Sequence, residues 1–165
     1  MASSISFDVV SEFDRQELIN ALDQVRREVA TRYDFKGSKV QIDLNEKDVT
    51  VVTDSEMRSS AVQDLIGSKA VRRGLSLKIF DWGEIVSAGG MTYKQVAGLR
   101  QGLPEDIAKK ITKLLRDDFP KAKGQIQGGT VRVSSKSKDE LQRVIARLKE
   151  ESEGLPVALQ FKNYR

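Results

Sequence analysis

One pattern occurs twice in this chain, and the repetition limits the fold more than any other feature. Residues 124–134 read GQIQGGTVRVS. Gln125 and Gln127 alternate with Ile126, Gly128-Gly129 interrupts, and Val131 and Val133 then share one face while Thr130, Arg132 and Ser134 share the other. Two alternating runs around Gly-Gly specify a β-hairpin with a two-residue turn, because glycine enters positive φ without steric cost. Residues 40–44 and 49–52, within VQIDLNEKDVTVV, form an earlier copy with a longer turn. A helical pattern precedes and follows each copy and a strand closes it, so the chain reads as a tandem duplication.

The flanking segments fill in the unit. Residues 4–10 alternate, with Ile5, Phe7 and Val9 on one face, and predict a strand. Asp14 opens a helix, with Glu17 at capping-box spacing, and Leu18, Leu22, Val25 and Val29 form its apolar stripe. After the first hairpin, Met57, Ala61, Leu65 and Ile66 mark a second helix stopped by Gly74. Leu75, Leu77 and Ile79 predict the closing strand. Residues 81–90, with Trp82 and three glycines, read as a linker. Residues 91–99 restart the pattern. Pro104 suits the first turn of a helix carrying Ile107, Ile111 and Leu114. Beyond the hairpin, Ser137 and Glu140 form a second capping box before Leu141, Val144, Ile145 and Leu148. Gly154 and Pro156 end that helix, and Val157, Leu159 and Phe161 close the second unit. Each half is therefore β-α-β-β-α-β. Single-face alternation implies antiparallel sheets with helices on one face, an α+β tandem of ferredoxin-like domains.

Composition narrows the function classes. Hydrophobic residues make up 39% and charged residues 32%, an ordinary globular balance, and no apolar run approaches a membrane span. The start, MASSISFDVVSE, lacks the basic region and apolar core of a secretion signal. With no cysteine, no disulfide framework is expected, which fits a cytoplasmic protein. With no histidine either, Ser-His and Cys-His nucleophiles and the usual zinc sets are excluded. There is no G-x-x-x-x-G-K-[ST] and no G-x-G-x-x-G after a strand. Asp117-Asp118 has no third ligand in view, so no catalytic residue, metal or cofactor is expected. Charge is uneven: residues 1–90 hold 12 Lys and Arg against 15 Asp and Glu, net −3, and residues 91–165 hold 16 against 9, net +7. That asymmetry suits an anionic partner for the second half, or scattered solvated charges.

Several blocks carry a resemblance: SFDVVSEFD at residues 6–14, RYDFKG at 32–37, the segment 93–101, AKKITKLLRD at 108–117, QIQGGTVRVSSKSKDELQ at 125–142 and the terminal LQFKNYR. On these the chain resembles the YajQ family of bacterial proteins over essentially its whole length. The resemblance implies two ferredoxin-like domains that exchange their first strands. Residues 11–100 would form the first domain, completed by strand 91–99, and residues 1–10 with 101–165 the second. It also implies nucleotide binding, with members assigned to nucleic acids, GTP and cyclic di-GMP. The glycine-rich residues 86–91 depart from the family pattern, and no contact is expected there.

Three constellations are candidate sites. On the open face of the second sheet, Gln125, Gln127, Arg132, Gln160 and Lys162 should point away from the helices, joined by Ser4 and Ser6 if strands are exchanged. Arg and Lys hold phosphate oxygens, and glutamine amides read base edges. Arg132, the sole cation among the outward positions of residues 124–134, is expected to carry most of the binding while lying off the core. In RYDFKG, Arg32 and Lys36 flank Tyr33 and Phe35, a pairing of cations and aromatics that suits a base and a phosphate. The competing reading makes Phe35 a core plug, Gly37 a turn and Arg32 a helix-end residue. The third constellation is the basic run Lys109, Lys110, Lys113, Arg116, Lys121 and Lys123, which reads first as a solvated helix face. Strand aromatics for stacking RNA, and the matching sequence signature, are missing. The expectation is a non-enzymatic nucleotide- or nucleic-acid-binding regulator. The rival is a protein–protein adaptor that uses exposed sheet faces.

Overall fold

The computed structural model describes residues 4–165. Its elements in chain order are β1 (Ile5–Val10), α1 (Arg15–Thr31), β2 (Gln41–Leu44), β3 (Asp48–Thr53), α2 (Glu56–Arg72), β4 (Phe80–Trp82), β5 (Val86–Ser87), β6 (Tyr93–Leu99), α3 (Glu105–Asp118), β7 (Ala122–Gln127), β8 (Thr130–Ser135), α4 (Lys138–Ser152) and β9 (Gln160–Lys162). They form two compact units, a central unit over Phe13–Arg100 and a terminal unit joining residues 4–12 to 101–165. Both sheets are antiparallel. The terminal sheet runs β7-β8-β1-β9 and the central one β2-β3-β6-β4, with β5 also on β6. Two antiparallel sheets and four helices are compatible with a duplicated ferredoxin-like arrangement.

Alternation decides which face of each sheet is dry. In the terminal unit Phe7, Val9, Val131 and Val133 are buried under Ile107, Ile111, Leu115, Leu141, Val144 and Leu148 of α3 and α4. In the central unit Val49, Val51 and Ala97 lie under Leu18, Leu22, Val25, Val62 and Ile66 of α1 and α2. The second hairpin has the expected two-residue turn: Gln127 pairs with Thr130, and Gly128 has φ +61°. Asp14 caps α1 by accepting from the Gln16 and Glu17 amides, but Glu17 does not reach back. It accepts instead from Asn20 and Arg73. Ser137 caps α4 by accepting from the Glu140 amide, but this capping box is also half made: the Ser137 amide donates to Ser135 Oγ and Glu140 pairs with Arg143.

Several sequence expectations shift. Met57 is 82% exposed, and the buried stripe of α2 is Ser59, Val62, Leu65, Ile66 and Ala70. Ser59 occupies a core position because its hydroxyl donates to the Gln95 side chain. Leu75–Ile79 is not the closing strand. Leu77–Ile79 forms a single 3-10 turn, and within residues 75–82 only Phe80–Trp82 pairs with β6. The segment expected as a linker thus contributes part of β4 and all of β5 to the central sheet. The alternation over residues 157–161 likewise yields only the short β9, with Val157 in the core ahead of it. Ile126 is 41% exposed, because it sits near the turn of the outermost strand.

Gly124 lets β7 approach α3. A Cβ built there would stand 2.7 Å from Leu115 Cδ1 and 3.2 Å from Thr112 Cγ2. Leu115 is enclosed in the core, so its side chain can give way only by repacking its neighbours. Gly124→Ala is therefore expected to destabilise the terminal unit by about 1–3 kcal/mol, the scale of overpacking, although alanine ordinarily favours a strand over glycine. Denaturant unfolding checks this, and an unchanged or raised midpoint would contradict it.

Candidate functional site

The open face of the terminal sheet is ordered by its register. Gln125 lies opposite Arg132, Arg132 opposite Asp8, and Asp8 opposite Lys162. The row does bring the expected residues to one face, but it is not a row of free cations. The Arg132 Nε donates to Asp8 Oδ1 at 3.0 Å, and Asn163 Nδ2 donates to Asp8 Oδ2 at 2.8 Å. Lys162 donates to the Glu12 carboxylate, and the Gln160 Oε1 accepts from the Glu12 amide at 2.7 Å. Gln125 and Gln127 stay exposed. Arg132, expected as a solvent-facing phosphate ligand, is thus already committed to an acid that is only 7% exposed.

Asp8 holds more than Arg132. Asn163 takes a left-handed φ of +58°, which asparagine tolerates better than most residues. Beyond it Ser6 and Arg165 exchange two backbone hydrogen bonds of 3.0 Å, and Tyr164 lies 5.9 Å from the Phe7 ring. Hydrogen bonds from Arg132 and then Asn163 hold the Asp8 carboxyl below the usual carboxylate range, against burial, which pushes it up. Asp8 in turn raises the Arg132 guanidinium.

The RYDFKG segment leaves α1 in the central unit. Arg32 is the C-cap of α1, Tyr33–Phe35 makes one 3-10 turn, and Gly37 follows with φ +78°. Phe35 is 3% exposed and packed in the core, so its ring is closed to a base. Arg32 sits over that ring at 5.5 Å and grips both oxygens of Asp34, at 2.8 and 2.9 Å. A third contact reaches Glu28. Asp34 first, then Glu28, raises the Arg32 guanidinium, while Lys69 and Arg32 hold Glu28 low. Two residues of the motif have no such task. Tyr33 is 89% exposed, and neither its side chain nor that of Lys36 has a hydrogen-bond or ionic partner among the described residues. Both line an open cleft of about 670 Å³ with Arg26, Val29, Arg32 and Val40. Phe35, Gly37 and Ser38 also line it, and the Ser38 hydroxyl donates to the Phe35 carbonyl at 2.6 Å.

The nine expected residues thus divide between two units, five on the terminal sheet and four in the cleft. The third constellation divides: Lys109, Lys110, Lys113 and Arg116 lie along α3, where Lys109 pairs with Glu105 in the open, while Lys121 and Lys123 lie beyond it, at and in β7. Sequence reasoning misses Asp8. The available signal is an acid at an outward position between Phe7 and Val9, which matters only once β1 is set beside β8. Among the described residues no cluster of acids or other ligands is arranged for a metal, and no helix is long and apolar enough to cross a membrane.

The depressed Asp8 carboxyl links stability to pH. A carboxylate with a lowered folded pKa stabilises above its unfolded value and loses that contribution as pH falls through the folded one. Asp8→Asn is expected to lower the Tm by a few degrees at pH 7, with the gap to the parent closing below about pH 4. Thermal melts from pH 7 to pH 3 check it, and a gap that is constant or widens in acid would contradict the assignment. Arg132→Ala removes the stronger of the two partners of a nearly buried acid and is expected to cost stability, against the sequence expectation that Arg132 lies off the core and serves binding alone.

Comparison with known proteins supplies the family. The family model described as "Nucleotide-binding protein YajQ-like" matches residues 5–165. A protein of Roseiflexus sp. (strain RS-1) named "Nucleotide-binding protein" is 56% identical over the full length of both chains. A namesake in Trichormus variabilis is 52% identical, again over both full lengths. The same identity and coverage hold for "Nucleotide-binding protein tll0793" of Thermosynechococcus vestitus. The chain belongs to the YajQ-like family of nucleotide-binding proteins.

Proposed function

We propose that this protein binds a guanine nucleotide or a short RNA, of the class of cyclic di-GMP, GTP or oligoribonucleotide, without transforming it, and acts as a cytoplasmic regulator. The observation that carries this reading is the pair left over in the RYDFKG cleft. Arg32, Phe35 and Gly37 are each explained by the local fold. An exposed aromatic ring beside an unpaired ammonium, in a concave site, is not. A base stacks on an aromatic face whatever its edge pattern, and Lys36 supplies a point charge for phosphate. The names of the relatives support nucleotide as the ligand class. The pairing of β1 with β8 and β9, and of β6 with β3 and β4, fits two copies of one unit that have exchanged first strands. In that reading domain one is residues 11–100 and domain two residues 1–10 with 101–165.

A protein–protein adaptor is the second reading. Val71 and Leu77 are more than half exposed and line an apolar cleft with Phe80 and Trp82. Partners retained from lysate after nuclease and high salt would favour it.

Calorimetry with cyclic di-GMP, GTP and a short RNA tests the first reading. At least one is expected to bind well below millimolar. Tyr33→Ala and Lys36→Ala should each weaken that ligand roughly tenfold, within the range of about 1–3 kcal/mol for a stacked base or a charge-assisted bond. Arg132→Ala should leave affinity unchanged where the variant is folded. Millimolar or absent binding of all three ligands contradicts the function. Loss of binding on Arg132→Ala, with Tyr33→Ala and Lys36→Ala silent, contradicts the placement.

A further inference from the structure

A second cleft, in the terminal unit, carries chemistry that the Tyr33 cleft does not. It has a volume of about 460 Å³ and is lined by Ser4, Lys121, Lys123, Ser134, Ser135, Lys136 and Ser137. Every lining side chain is a hydroxyl or an ammonium. The three lysines come from two stretches that the register brings together: Ala122 pairs with Ser135, and Lys123 with Ser134. All three are exposed, and none has an ionic partner among the described residues. Several other cations of this unit are engaged. Arg132 holds Asp8, Arg143 holds Glu140, Arg147 holds Asp118 and Glu151, and Lys162 holds Glu12.

The cleft backbone is fixed. Ser135, itself buried, donates through its hydroxyl to the Lys121 carbonyl at 2.8 Å and accepts from the Ser137 amide at 3.0 Å. This locks the start of β7 against the loop that enters α4. Ser137 is occupied as the cap of α4, whereas the hydroxyls of Ser4 and Ser134 have no partner among the described residues. The acids that open α4 do not enter: Glu140 is held by Arg143, and neither it nor Asp139 lines the cleft.

Three lysines line one cleft and no acid lines it with them, so a single carboxylate would leave most of the charge uncompensated. Lysine binds phosphate as a point charge, and hydroxyls donate to the remaining oxygens. We propose that this cleft is a binding site for a multiply charged phosphate oxyanion, such as the diphosphate group of a nucleotide or free pyrophosphate. The site is independent of the Tyr33 cleft, because it needs no base.

Inorganic pyrophosphate is the probe, titrated into the full chain by calorimetry and by amide NMR, with GTP in a parallel arm. Pyrophosphate should shift the amides of residues 134–138. The double variant Lys123→Gln/Lys136→Gln should weaken it at least tenfold and flatten its salt dependence. Lys110→Gln/Lys113→Gln, which removes the same charge from α3, should leave it within twofold. Equal loss in both doubles would show attraction to net charge alone and overturn the site, as would no binding of pyrophosphate. If pyrophosphate and GTP both depend on Lys123 and Lys136, the group belongs to a nucleotide. If only pyrophosphate does, the site takes the free anion. GTP binding that needs Tyr33 but neither lysine, with pyrophosphate silent, removes this site and leaves the nucleotide reading standing.

Discussion

β1 lies between β8 and β9, and its alternate residues do two different jobs. Phe7 and Val9 are completely buried and fill the core beneath α3 and α4. Asp8, between them, faces the other way and joins Arg132 of β8 to Asn163 beyond β9. Hydrophobic burial gives most of the energy here, since it scales with the apolar area removed from water. The carboxylate gives direction: it fixes where the last strand and the chain end lie. The terminal unit depends on this one strand for both, although the strand comes from the far end of the sequence.

In the central unit one local motif commits most of its residues to folding. A helix must end, a core gap must be filled and the chain must turn. Arg32, Phe35 and Gly37 meet those needs in one short span. The guanidinium that sequence alone offers to a phosphate is engaged by Asp34 and Glu28, and the phenyl ring offered to a base is inside the core. What stays available is Tyr33 and Lys36, a smaller set than composition suggests. The terminal sheet behaves in the same way, since Arg132 and Lys162 are paired to acids within their own unit.

Much of this is legible in the sequence. The hairpin at Gly128-Gly129, the stripes of α1 and α4 and the caps at Asp14 and Ser137 follow from periodicity and local hydrogen bonding, and the structure has them. The frame of α2 is not, because Ser59, a polar residue, takes a buried position that Gln95 satisfies, while Met57 stands in solvent. The closing strands come out shorter than the pattern predicts because Leu75, Leu77 and Ile79 alternate like a strand, yet part of that span coils into a 3-10 turn. Asp8 is invisible for a different reason. Its partners lie 124 and 155 residues away, and no local pattern reports a contact at that distance. The commitments of Arg32 are nearer at hand in Glu28 and Asp34, but the sequence does not say which of several nearby acids a guanidinium will choose.

Residue-resolved NMR during a GTP titration decides whether Tyr33 and Lys36 hold the ligand. The amides of residues 33–38 should move along one saturating curve, whatever happens at the lysine–serine cleft. If GTP saturates the protein while those amides stay in place, the aromatic cleft is not the nucleotide site.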